Sequence, residues 1–378
     1  MQMIKLILLF AYQVESFLIN AICMQYYGLP QVTMKPVLFT PSYLSQCYSE
    51  DYAEAQQKFQ QLASNPPDDT LYREFVYAQT GPSAEKLSTA VSWVGDRDAP
   101  CVLVLQSATH GVEGFAGSAI QLDSLQTLNS ESLPPGVALL YIHALNPYGF
   151  AWLRRVNEDG IDLNRNFVDF KQPLPVNAGY AQLADNILPA QLSDWRQTTQ
   201  ALSDYAAAFG QQAMELAVSG GQYQFADGLF YGGTQASQSR LNLQQIIADY
   251  DLKNRRHVAV IDIHSGLGPF AYGEIICDHP PQSNGVKLAR AWYGDSVTEP
   301  ALGSSTSVLK HGVMDVLWQQ ERAERVCFVT MEFGTYDIDE LFEVLRRDHF
   351  LHRHSHDPTQ HKIDWASSET QQVKQAIR

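Results

Sequence analysis

The sequence is short of positive charge: 26 Lys and Arg stand against 41 Asp and Glu, a formal charge of −15 over 378 residues. Nucleic-acid backbones and anionic lipid surfaces select clustered cations, so this balance argues against either as a partner. A local basic pocket for a small anionic substrate remains compatible with it. Cysteine is also scarce. Cys23, Cys47, Cys101, Cys277 and Cys327 stand singly with no C-x-x-C pair. That pattern opposes a disulfide framework and fits small core hydrophobes in a reducing compartment. There is no G-x-S-x-G; Ser118 lacks the elbow that would expose a serine nucleophile. No apolar run reaches the ~20 residues that span a bilayer. The nearest, Ile4 to Tyr12, is interrupted by Gln13 and Glu15 and has no small-residue cleavage site after it. Residues 1–33 therefore read as an N-terminal extension of uncertain status. Residues 34–378 read as a single domain of cytoplasmic type, with secretion or a periplasmic location still compatible with the apolar stretch.

What is present is the composition of a globular protein, 45% hydrophobic and 18% charged, long enough to bury a substantial core. Continuous apolar runs at Cys101–Ser107, Val137–His143, His257–His264 and Val326–Met331 fit strands buried on both faces. Leu71–Trp93 reads as a strand pair. Helical patterns occupy Ser49–Ala63, Gly117–Leu128, Tyr180–Ala217, Ser239–Lys253, Val286–Trp292 and Asp339–His352. Runs of strand alternating with helix argue an α/β domain with a mixed, mostly parallel sheet, whose sites lie at the carboxyl ends of strands.

Four polar clusters sit at such ends. His110-Gly111-Val112-Glu113 follows the first apolar run, and its His and Glu, three apart on a turn, can face one centre. Nitrogen and carboxylate oxygen are standard zinc donors, and three protein ligands leave a place for water. Asp262-Ile263-His264 closes another run and offers a third donor. His143 also ends a strand but has no donor flanking it. Glu332, in Thr330-Met331-Glu332-Phe333-Gly334, closes a fourth run; burial would raise its pKa toward that of a general base. Arg154, Arg155 and Arg165, the last within Asp162-Leu163-Asn164-Arg165-Asn166-Phe167, supply planar forks suited to carboxylates.

In this order the motifs resemble the zinc carboxypeptidase superfamily, which holds carboxypeptidase A and the aspartoacylase-type deacylases, and more closely its bacterial carboxypeptidase-like branch. H-x-x-E, N-P-x-G, D-L-N-R-N-F, a strand-end His and a strand-end Glu run from about Cys101 to Tyr336. The resemblance implies an α/β fold in which a mixed sheet of about eight strands is sandwiched between helices. It implies one Zn²⁺ per chain on His110, Glu113 and His264, with Glu332 as general base and acid. Asn164 and Arg165 would grip a substrate carboxylate, Arg155 or Arg154 would steady the oxyanion, with Arg155 favoured, and Asp162 would orient a ligand imidazole. A substrate-facing tyrosine stays open between Tyr272, Tyr293 and Tyr231. The implied activity is cleavage of an amide next to a free carboxylate in a peptide or an N-acyl amino acid. A metallocarboxypeptidase is favoured over a deacylase, and a catalytically silent carboxylate-binding protein is the third reading. The four histidines between Asp348 and His356 read as a solvated helix end, with a second metal site as the sharper alternative.

Overall fold

The computed structural model describes residues 40–64, 72–128, 133–322, 324–354 and 368–378. The extension 1–33 lies outside them. In chain order the elements are α1 (Pro41–Cys47), α2 (Tyr52–Ala63), β1 (Tyr72–Thr80), β2 (Lys86–Val94), β3 (Cys101–Gln106), α3 (Gly114–Thr127), β4 (Val137–His143) and α4 (Pro147–Ala151). Then follow α5 (Ala178–Ile187), α6 (Trp195–Phe209), α7 (Gln211–Ser219), α8 (Gln238–Asp249), β5 (His257–Gly266), β6 (Gly273–Ile276) and α9 (Asn284–Tyr293). The chain continues through β7 (Val297–Thr298), α10 (Asp315–Arg322), β8 (Val326–Gly334), α11 (Ile338–His354) and α12 (Ser368–Ile377).

The eight strands form one mixed sheet in the order β1-β2-β4-β3-β5-β8-β6-β7. The central ladder β4-β3-β5-β8 is parallel, and its flanks are joined by antiparallel pairings of β2 with β4 and β6 with β8. The four apolar runs are these central strands; every residue of β3, β4 and β8 is buried. That is why they read as unbroken hydrophobic runs rather than alternating ones. Two cores flank the sheet. Leu103, Leu105, Tyr141, Ile261 and Phe333 pack on one face with α3 and α9. Val102, Val104, Leu140, Val260 and Phe328 pack on the other with α8 and α10.

Two details depart from the sequence reading. The long helical stretch 180–217 is three helices, broken after Leu188 and again at Gly210, whose φ of 94° no helix accommodates. β6 and β7, of four and two residues, carry no periodic signal long enough to read. Cys47, Cys101, Cys277 and Cys327 are free and buried. No helix among the described residues is long and apolar enough to cross a membrane.

Candidate metal centre

The register of the parallel strands brings the polar residues together. Gln106 at the end of β3 pairs with Asp262 of β5, and His264 of β5 pairs with Glu332 of β8. Just past β3 the chain turns through Ala108 in left-handed backbone (φ 57°) into a short 3₁₀ turn, Gly111–Glu113. This turn is tied to the arginine loop: Gly111 N donates to Arg155 O at 3.1 Å and Val112 N to Arg154 O at 2.9 Å. Only glycine fits at 111, since a Cβ there would lie 2.1 Å from the Gly149 carbonyl carbon on α4.

His110, Glu113 and His264 converge with one donor atom each within 4.8 Å of the others, a set that could hold a metal ion. The two Nδ1 atoms are 3.1 Å apart, and Glu113 lies 2.8 Å from His110 Nδ1 and 2.9 Å from His264 Nδ1. Each imidazole is anchored from behind by a fully buried aspartate. His110 Nε2 is 3.1 Å from Asp162 Oδ1, and His264 Nε2 is 2.8 Å from Asp262 Oδ2. Such carboxylates fix the tautomer that leaves the other nitrogen free to ligate and raise its basicity. Asp162 is the residue the motif pointed to. Asp262 carries a sequence signal only through D-x-H, in which strand residues two apart share a face. Asp262 Oδ1 in turn accepts from Gln106 Nε2 and Thr109 Oγ1 at 2.9 and 2.8 Å.

The charges follow from this packing. Burial works against ionising Glu113, but His110 and His264 hold it below the usual carboxylate range. Burial likewise opposes the charge on Asp162, yet Arg155 and His110 keep it well below. His264 lies well above its ordinary value, since Asp262 and Glu113 outweigh its burial. Glu332 goes the other way: burial and the neighbouring Glu113 push it up to about 7. Its Oε1 accepts from Leu267 N at 3.0 Å.

His110, Glu113, His264 and Glu332 line a cavity of about 290 Å³. Arg155, Asn164 and Arg165 reach it; Arg154 and Tyr272 are not among its lining residues. Arg155 Nε donates to Asp162 Oδ2 at 2.9 Å, and its Nη2 lies 2.8 Å from His110 Nε2. Arg154 turns the opposite way, toward Asp348 at 3.8 Å and His349 at 3.4 Å. Arg165, only 2% exposed, is held by backbone carbonyls of Ser219 (3.1 Å from Nε) and Asn164 (2.7 Å from Nη1). Asn164 Oδ1 accepts from Met314 N at 2.9 Å. Of the tyrosines weighed from sequence, Tyr231 and Tyr293 are buried and Tyr272 is 54% exposed, all outside the lining. Tyr336, at the start of the loop into α11, does line it, as does Phe230; neither carried a sequence signal.

His143 is elsewhere. It stacks on Phe59 and bonds Ser118 Oγ at 2.9 Å and Gln56 Oε1 at 3.1 Å, and burial pushes it down to about 3. The histidine-rich tail is partly internal: His349 is buried against Asp227 O, and His352 Nε2 lies 2.7 Å from Lys374 Nζ. His356 lies outside the described residues.

Residues 48–375 match a family model described as "Protein of unknown function (DUF2817)". The chain belongs to this family. No curated protein matches it. Among solved structures, the chain is similar to carboxypeptidase A from Helicoverpa armigera at 14% identity and a TM-score of 0.47, over 90% of this chain and 77% of that one. It is similar to the murein-tripeptide amidase MpaA from Escherichia coli O157 at 14% identity and 0.32, over 76% and 92%. A succinylglutamate desuccinylase from Silicibacter sp. TM1040 gives 11% identity and 0.37, over 76% and 68%. For this member of the family, the arrangement at the carboxyl ends of β3, β5 and β8 is therefore read from its own residues.

Proposed function

We propose that the protein is a zinc-dependent hydrolase of an amide bond next to a free carboxylate. The observation that supports this most is the convergence of two imidazole Nδ1 atoms and one carboxylate, each imidazole backed by its own buried aspartate. Two nitrogens and an oxygen with room left for a fourth ligand suit zinc. A zinc ion on His110, Glu113 and His264 would supply Lewis-acid chemistry, polarising a carbonyl and acidifying water.

The chain's own residues account for the rest. Glu332, pushed near neutrality, can take a proton from water and return it to a departing amine. With His110 ligating through Nδ1, its Nε2 carries the proton and donates to Asp162. Arg155 Nη2 then has no acceptor on that imidazole and can serve a developing oxyanion, while Asp162 retains Arg155 Nε. Arg165 is a buried cation hydrogen-bonded to the neutral carbonyls of Ser219 and Asn164, the environment in which a substrate carboxylate is gripped strongly. The resemblance favours a carboxypeptidase; the Asp262–His264 pair, like D-x-H in the deacylase branch, favours an N-acyl amino acid deacylase.

The test is metal content of the purified protein beside a His264→Ala variant, after loosely held ions are stripped. About one zinc per chain, lost in the variant, supports the site; equal metal in both refutes it. Glu332→Gln should then abolish turnover of peptides and N-acyl amino acids while keeping the metal. Loss of metal instead would make Glu332 a ligand.

A further inference from the structure

The cavity has two chemically distinct ends, and β8 shows which lies on which side of the reacting centre. Thr330 and Glu332, two residues apart, share one face of the strand. Thr330 pairs with Ile276, and Asp278 follows just beyond β6. Lys310 Nζ lies 4.0 Å from Asp278 Oδ2. Of the next two residues, His311 N bonds Gly220 O at 2.9 Å, and Gly312 lies against Arg165, where a Cβ would fall 2.2 Å from its carbonyl oxygen. Arg165, Asn164, Asp278, Lys310 and Ser307 therefore make one polar end.

In the other direction β8 runs past Glu332 into Tyr336 and α11. Leu341 packs beside Gly266, the glycine that Glu332 Oε1 also faces. Phe342 and Leu345 continue the wall, and Phe230 joins it to the polar end: its ring meets Phe342 edge to face at 6.4 Å and lies under the guanidinium groups of Arg155 at 5.0 Å and Arg165 at 5.4 Å. α12 closes it: Tyr336 Oη donates to Ala376 O at 3.2 Å and Ile377 faces the cavity. The charged lining residues here are the half-buried Glu215 and the exposed Arg378, with Arg155 and Arg165 at the junction over Phe230. A peptide laid there would desolvate backbone N–H and C=O groups against an apolar wall, and each one left unpaired would weaken binding. A hydrocarbon chain loses nothing and gains about 25 cal/mol per Å² buried. The volume, about 290 Å³, sits at the small end of ligand pockets and suits a single acylated amino acid.

From this order we infer that the substrate is an N-acyl amino acid with an apolar acyl chain. Its carboxylate lies at Arg165, its amide at the His110–Glu113–His264 centre, and its acyl chain against α11 and α12. The inference rests on the amide-hydrolase reading and narrows it from peptides to acylated amino acids.

The test uses the zinc-loaded full chain with acetyl, butyryl, hexanoyl and octanoyl derivatives of glycine, glutamate and lysine, beside di- and tripeptides. We expect kcat/KM to rise by about fourfold per methylene until the wall is filled, and to exceed that for the peptides. Leu341→Trp, which fills the wall, should move the optimum to shorter chains with zinc content unchanged. If that variant does not fold, Leu341→Asp should flatten the chain-length dependence. Turnover with no chain-length dependence in the wild type, or a preference for peptides, overturns the inference and leaves amide hydrolysis standing. A zinc-replete protein that hydrolyses none of these amides overturns both.

Discussion

Replacing Asp262 by Asn isolates what an aspartate behind a ligand histidine contributes. Asp262 is fully buried, with Oδ2 on His264 Nε2 at 2.8 Å and Oδ1 accepting from Gln106 and Thr109. Asparagine has the same shape, and its oxygen can still accept from His264. Its amide NH₂ would then face the Gln106 amide. Gln106 Oε1 is buried without a partner, so this side chain can turn over and accept from the new donor. The fold should therefore survive, and the loss should fall on the charge that raises the basicity of His264. Ligand-backing carboxylates of this kind are worth about 10–100-fold in metal affinity, or roughly 1.4–2.7 kcal/mol. The assay is competition for zinc with a chelator of known affinity at pH 7.5, beside urea unfolding of the metal-free proteins. A weakening in that range with stability changed by less than about 1 kcal/mol is the expected result. An affinity within about twofold of wild type would show that Asp262 does not tune the ligand. A loss of more than about 3 kcal/mol in the metal-free protein would assign it to holding the fold.

Three further outcomes are expected. Gly111→Ala places a Cβ 2.1 Å from the Gly149 backbone; it should cost about 1–3 kcal/mol in urea unfolding and lower metal occupancy, because the ligand turn must move. Asp123, pushed up to about 6 mainly by burial and bonded by Tyr43, favours its neutral form in the fold. Its contribution is complete below the unfolded value near 4 and is lost as pH rises through 6, so Asp123→Asn should be more stable than wild type above pH 6 by about 2–3 kcal/mol and not below pH 4. Lys374 on α12 bonds Asp348 at 2.6 Å and Leu153 O at 3.1 Å, behind the loop that carries Arg155; Lys374→Met should lower kcat roughly tenfold or more with zinc retained, and Lys374→Arg should restore part of it.

The central strands and the polar residues at their ends were legible because both follow from burial. A strand covered on both faces must be apolar throughout, so a His or Glu that closes such a run stands out. The α/β class and the convergence of His110, Glu113, His264 and Glu332 could be read for that reason. The preference for Arg155 over Arg154 had no basis in a local pattern, because adjacent loop residues face opposite ways and the backbone decides which. Here Leu153 adopts left-handed backbone (φ 53°), sending Arg154 to Asp348 and Arg155 to Asp162. Tyr336, Phe230 and α12 were invisible for a different reason. Their place at the cavity depends on packing between separate segments, Phe230 against Phe342 and Tyr336 against Ala376 on α12, which no local pattern encodes.

The strained positions explain why the site is built as one unit. Ala108, Ala144 and Leu153 all have φ between 53° and 60°, a conformation that costs a residue with a Cβ roughly 1–2 kcal/mol. They sit just before His110, Asn146 and Arg154, where the chain leaves a strand or helix toward the site. Such strain persists only where the surroundings fix the backbone more strongly than the residue resists it. Here they do so through hydrogen bonds from Gly111 and Val112 to the arginine loop, Asn146 N to Ala108 O at 3.0 Å, and Leu145 N to Ser107 O at 3.0 Å. The ligand turn, α4 and the arginine loop thus cross-brace one another. A shift of His110 or Glu113 would therefore be felt at Arg155, so metal loading is expected to change the affinity for a carboxylate-bearing amide analogue, measured by titration with and without zinc; equal affinities would show that the two positions are independent.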